Sequence, residues 1–245
     1  MSTYVLVHGG GHGGWCWQRI TPILREAGHH VHTPTLTGLG ERSHLLRPGI
    51  DIETHVADVV AVLRFEDLTD VILVGHSYGG MVITGVADRV PDRIGELVYL
   101  DAAHPADGES LVDVAPQSMA FARGDSRVVD GVELVLWPLP EMGRVYGVTD
   151  PVDLTWMQDK LTPHPWACFE KPLRLTDEAA VTKIPRTNIN CTASLRTSEP
   201  EALERQLAAD RVWEIDTGHD LMITEPDVVS EMLLRLGDGP GSTKR

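Results

Sequence analysis

Short apolar runs alternate with longer stretches of helical period along most of the chain. Runs at about 3–8 (Tyr4-Val-Leu-Val), 30–34, 70–75 (Val71-Ile-Leu-Val), 96–101 (Leu97-Val-Tyr-Leu), 187–191 and 211–216 read as strands. Their rhythm predicts an α/β fold, a mostly parallel sheet with helices on both faces. Helices are expected at 15–27, ending at Gly28, and at 52–66, where Ile52, Val56, Val59, Val60 and Leu63 form one stripe behind Asp51 as N-cap. Two more are expected at 78–90, close behind its strand, and at 225–236, opening with Thr224-Glu-Pro-Asp. The stretch 104–183 breaks the rhythm. It is rich in proline and holds Phe121, Trp137, Tyr146, Trp156, Trp166 and Phe169. An insertion of that size between strands predicts a helical cap, with Trp137, Tyr146, Trp156 and Trp166 walling a substrate pocket; the alternative is a set of surface helices with a private apolar core. The core then comprises 1–103 and 184–236, and the glycine-rich residues 237–245 form a flexible tail.

Composition narrows the functions. With 245 residues and 42% hydrophobic side chains the chain can bury one sizeable core. Its 21 basic and 36 acidic side chains give a net charge of −15, which repels nucleic-acid phosphates and anionic lipid, so neither partner is expected. Cys16, Cys168 and Cys191 lack paired spacing, against a disulfide framework or structural zinc and in keeping with a reducing cytoplasm. The chain enters its first strand at once, and no apolar run approaches 18 residues. A cytoplasmic protein is therefore expected, with its oligomeric state left open.

The chemistry centres on Gly75-His-Ser-Tyr-Gly79, between a buried strand and a helix. That context predicts a sharp turn exposing Ser77 above the strand ends, with flanking glycines where a side chain would collide. A serine needs a base within hydrogen-bond reach. Among eleven histidines, His219 follows the last strand on a loop that returns over the serine. His8, His12 and His76 are expected to shape the pocket or fix loops. The turn His8-Gly-Gly-Gly-His-Gly-Gly14 can present bare amides to an oxyanion, with Gly10 and Tyr78 as the expected backbone donors. A dinucleotide-binding reading of this turn fails on glycine spacing, on Trp15 and Trp17 at the helix start and on the lack of an acidic residue after the second strand.

His-Gly-Gly-Gly-His-Gly-Gly-Trp, Gly-His-Ser-Tyr-Gly-Gly and Thr-Gly-His-Asp, in that order, resemble the α/β-hydrolase superfamily. Within it the chain is most similar to the compact clan of plant methylesterases and hydroxynitrile lyases, and to small bacterial esterases that cleave pyrethroid esters and carbamates. The motifs and the resemblance together imply a serine hydrolase of a carboxylic ester or carbamate, acting through an acyl-enzyme without metal or organic cofactor, and the aromatic wall expected of the cap implies an apolar, ring-containing substrate. One departure stands out. The clan places its orienting aspartate after the next-to-last strand, where this sequence reads Asn190-Cys-Thr-Ala-Ser-Leu-Arg-Thr-Ser-Glu-Pro. Tyr99-Leu-Asp101-Ala instead resembles the placement in haloalkane dehalogenases, which makes Asp101 the expected acid, with Glu199 or an acid-free dyad as alternatives. A lyase on the same serine and histidine, and a non-catalytic receptor, are the other readings; the plant cyanohydrin lyases carry a lysine where Asp220 stands here.

Overall fold

The computed structural model describes residues 1–139 and 142–237. Its centre is a six-stranded sheet of β1 (Thr3–Val7), β2 (His30–His32), β3 (Val71–His76), β4 (Ile94–Leu100), β8 (Arg186–Cys191) and β9 (Arg211–Ile215). The order is β2-β1-β3-β4-β8-β9 and every pairing is parallel. All six residues of β3 are buried, as a central strand covered on both faces requires. Its side chains alternate between two cores. Leu73 packs with Val5, Val7, Leu97 and Tyr99 on one face, whereas Ile72 and Val74 join Tyr4, Leu6, Val98 and Leu100 on the other. Helix Ile52–Phe65 buries the expected stripe. Asp51 caps it by accepting from the Thr54 amide at 3.2 Å, a contact of about 1 kcal/mol.

Three local expectations change. The helix foreseen over 15–27 is split into a 3-10 turn, Gly14–Trp17, and a helix, Ile20–Glu26. Pro22 is the reason: without an N–H it fits only a first helical turn. The insertion is not purely helical. It carries β5 (Arg127–Val129), β6 (Val132–Val135) and β7 (His164–Pro165), an antiparallel sheet. Asp130 and Gly131 make the first hairpin turn at φ 49° and 79°, the two left-handed positions that a tight two-residue connection demands. Finally, Gly237 closes the last helix, Pro226–Gly237, and its carbonyl accepts from Ser2 Oγ at 2.9 Å. The rest of the expected tail, 238–245, lies outside the described residues. Among those residues, no helix is long and apolar enough to cross a membrane.

Candidate active site

Ser77 lies one residue beyond β3 with φ 54°, in the left-handed region that a side chain normally avoids. The turn is possible because its flanks are bare. A Cβ on Gly75 would lie 2.6 Å from the Gly79 carbonyl oxygen, and one on Gly79 would lie 2.7 Å from that of Val7. Helix Gly79–Arg89 starts at once, and the Gly80 amide donates to the Ser77 carbonyl at 3.0 Å, which ties the turn to the start of the helix.

Asp101 follows β4, also at a positive φ, 45°. Its carboxylate is enclosed by donors. His219 Nδ1 lies 2.5 Å and Ser194 Oγ 2.7 Å from Oδ2, Cys191 Sγ is 3.2 Å from the same oxygen, and the Cys191 amide donates to Oδ1 at 3.1 Å. Burial pushes the Asp101 carboxyl up, but these hydrogen bonds outweigh it and hold the group below the usual carboxylate range. For His219, burial pulls the value down. The hydrogen bond and charge of Asp101, with the charge of Asp220, reverse that and leave it raised. An imidazole whose Nδ1–H is fixed by a carboxylate presents Nε2 as a base, and Ser77 and His219 line one cavity of about 550 Å³.

Gly10, Tyr78 and Tyr146 also line this cavity. The other predicted pocket residues do not, which corrects the expectation of a tryptophan-walled site. Trp137 sits under Arg127 and donates to the Leu134 carbonyl. Trp156 packs edge-on against Trp15 beside Arg19, and Trp166 is buried with its Nε1–H on Glu170. The apolar wall instead comes from Leu111, Met119, Phe121, Leu136, Val145 and Phe169. His8 and His12 are fully buried behind the glycine turn. His8 Nδ1 donates to the Gly9 carbonyl at 2.9 Å while Nε2 accepts from the Leu36 amide, and burial lowers its pKa to about 3. His76 donates from Nε2 to the His219 carbonyl at 2.9 Å. Glu199 is on the cavity rim, paired with Gln117 rather than with His219. Cys191, at the end of β8, and Ser194, in the short helix Thr192–Leu195, hold Asp101; a lone thiol and a lone hydroxyl carry no signal of that role in the sequence.

The sequence matches the alpha/beta hydrolase family over residues 4–232. It is 39% identical over 249 residues to a carbendazim hydrolyzing esterase of Nocardioides sp. (strain SG-4G), covering 97% of this chain and 100% of that one. Among solved structures, an extracellular alpha/beta-hydrolase from a Paenibacillus species shares 26% identity at a TM-score of 0.78, covering 96% of this chain and 98% of the other. A methylesterase from Arabidopsis shares 26% at 0.77, over 97% and 99%. A parallel sheet that carries a serine at the sharp turn after its third strand, and a match running from β1 into the last helix, together place this chain in the alpha/beta hydrolase family.

Proposed function

We propose that this enzyme is a serine hydrolase that cleaves a carboxylic ester, or a close relative such as a carbamate, of an apolar, ring-containing small molecule. Ser77 Oγ attacks the acyl carbon and passes its proton to His219 Nε2. Asp101 fixes the histidine tautomer and stabilises the imidazolium that forms. The oxyanion lies toward the amides of Gly10 and Tyr78. His219 then protonates the leaving alcohol, and water, deprotonated by the same histidine, hydrolyses the acyl-enzyme. One observation carries the reading: the 2.5 Å contact of His219 with Asp101 lies at a cavity that Ser77 shares. A relative named for hydrolysing carbendazim and a structural neighbour named a methylesterase support ester-type chemistry.

Segment 104–183 acts as a cap in this reading. It supplies Leu111, Met119, Phe121, Leu136, Tyr146 and Phe169 to the cavity, an apolar wall suited to a ring. The test pairs a phosphonate label with a substrate panel. An aryl phosphonate should modify Ser77, located by mass spectrometry, and Ser77→Ala should abolish turnover of aryl esters, methyl esters and carbamates alike. Turnover that survives in Ser77→Ala would refute the acyl-enzyme.

A further inference from the structure

The glycine turn after β1 has no side chains to stiffen it, and its carbonyls are held one by one. His8 Nδ1 donates to Gly9 O, His12 Nδ1 to Gly10 O at 2.8 Å, and the Thr162 amide to Gly11 O at 2.9 Å. The other nitrogen of His12, Nε2, lies 3.0 Å from Asp220 Oδ2, and both side chains are fully buried. Asp220 is the neighbour of His219. Its amide donates to the Tyr146 carbonyl at 2.9 Å, and the Tyr146 hydroxyl donates to Gly10 O at 3.3 Å. A closed circuit therefore joins the peptide of Gly10 to the residue beside the base.

Both ring nitrogens of His12 are committed, Nδ1 to the Gly10 carbonyl and Nε2 to the Asp220 carboxylate. Burial pushes the Asp220 carboxyl up, but the histidines around it, His12 first, outweigh that and hold it below the usual carboxylate range. Among the described residues, the other titratable groups that face the pair are His8 and His76, lowered by burial to about 3, His164, lowered by burial, Tyr146 and Cys16, raised by burial, and His219, raised by Asp101 and Asp220. Asp220 Oδ1 makes no hydrogen bond and lies 3.6 Å from His76 Nε2, which is committed to the His219 carbonyl. Among the described residues, His12 is thus the side chain that hydrogen-bonds the Asp220 carboxylate.

We infer that His12 and Asp220 form a buried hydrogen-bonded pair that locks the oxyanion turn and the His219 loop into one fixed relation, as positioning residues. The kinetic part of this inference rests on the proposed serine chemistry. Asp220→Ala leaves His12 Nε2 without a partner and loosens its hold on Gly10. Asp220→Asn keeps a hydrogen-bonding partner for His12 Nε2, so Nδ1–H still holds the Gly10 carbonyl. For Asp220→Ala, the rate of Ser77 phosphonylation and kcat on a p-nitrophenyl ester should each fall ~100-fold with KM nearly unchanged, the scale of one lost oxyanion donor. Asp220→Asn should recover most of that loss. Independently of turnover, hydrogen–deuterium exchange of the peptide that spans the glycine turn should quicken in Asp220→Ala and stay near wild type in Asp220→Asn. Unchanged exchange of the turn in Asp220→Ala, wild-type rates in Asp220→Ala, a loss shared equally by kcat and KM, or an Asp220→Asn as slow as Asp220→Ala would each overturn the pair. If Asp220→Ala does not fold, Asp220→Ser, whose hydroxyl is too short to reach His12, takes its place. Absent ester turnover with the exchange pattern and Ser77 labelling as expected would instead refute only the choice of substrate.

Discussion

Asp101→Asn tests the site at its most constrained point. The carboxylate accepts at both oxygens, and its donors differ in freedom. The Cys191 amide on Oδ1 cannot reverse its role, whereas the Ser194 hydroxyl and the His219 ring on Oδ2 can. An asparagine oxygen therefore takes the Oδ1 place, and its NH2 group turns toward His219. The amide then donates to Nδ1, which forces the proton of the imidazole onto Nε2, the atom that must receive the serine proton. The fold keeps its shape while the base is in the wrong tautomer and has lost its counter-charge. Turnover should fall by about 10⁴, or about 5 kcal/mol of transition-state stabilisation. The assay is kcat/KM on a p-nitrophenyl ester, with thermal unfolding to confirm that the variant is folded. Glu199→Gln, which changes a rim residue paired with Gln117, should stay within about twofold of wild type on the scale of a surface substitution. A folded Asp101→Asn that keeps a tenth of its activity, or a Glu199→Gln that loses as much as Asp101→Asn, would refute the assignment.

Further outcomes follow from the same geometry. The wild-type acid limb of kcat/KM should titrate above the ordinary histidine value, because Asp101 raises His219 and only the neutral ring accepts a proton; in Asp101→Asn the residual activity should titrate lower. Stopped-flow or plate-reader pH profiles check the order of the two limbs. Gly75→Ala places a methyl group 2.7 Å from the Gly79 carbonyl carbon, and overpacking against backbone should cost about 3 kcal/mol, read as a drop in Tm of roughly 6–12 °C. Phe121→Ala, at an exposed cavity edge, should reorder a series of esters of increasing ring size while leaving Tm nearly unchanged. Trp166→Ala should do the reverse, lowering stability by about 3–5 kcal/mol with the substrate order intact.

The centre of the sheet was legible because β1, β3 and β4 are largely apolar runs, as strands covered on both faces require, whereas β2, β8 and β9, read as His30-Val-His, Arg186-Thr-Asn-Ile-Asn-Cys and Arg211-Val-Trp-Glu-Ile, mix polar and apolar positions. The turn at Ser77 was legible for a related reason: Gly75 and Gly79 stand where backbone atoms leave no room for a Cβ. What escaped depends on the third dimension. Pro22 moves a helix start by several residues, and the notice it gives is local. The hairpin at Asp130-Gly131 was written in the chain as an Asp-Gly pair flanked by valines, a signal obscured by the expectation of helices there. The tryptophans were the real ambiguity. Large aromatics fill a private core as readily as they line a pocket, and the cavity draws on Phe121 and Phe169 instead, while Trp137, next to the cavity-lining Leu136, lies against Arg127 and the Leu134 carbonyl.

Placing the acid after β4 has a structural consequence that an acid on the later loop would not have. Leu100 pairs with Ile189, so Asp101 emerges beside the end of β8, and its amide donates to the Ile189 carbonyl at 2.7 Å. The carboxylate is thus anchored on both sides by sheet backbone, through its own amide and through that of Cys191. The loop after β8 no longer has to carry a charge. It supplies Ser194 as a donor, and its short helix, Thr192–Leu195, keeps that hydroxyl 2.7 Å from the carboxylate. Ser194→Ala then removes one of several donors rather than the charge itself. It should lower kcat by about tenfold, the value of one hydrogen bond to a charged group, and should shift the acid limb of the pH profile upward, because a less stabilised carboxylate binds the His219 proton more tightly. An acid limb that moves down, or a loss as large as that of Asp101→Asn, would show that the hydroxyl does more than hold the carboxylate, and the division of labour between β4 and the loop after β8 would have to be redrawn.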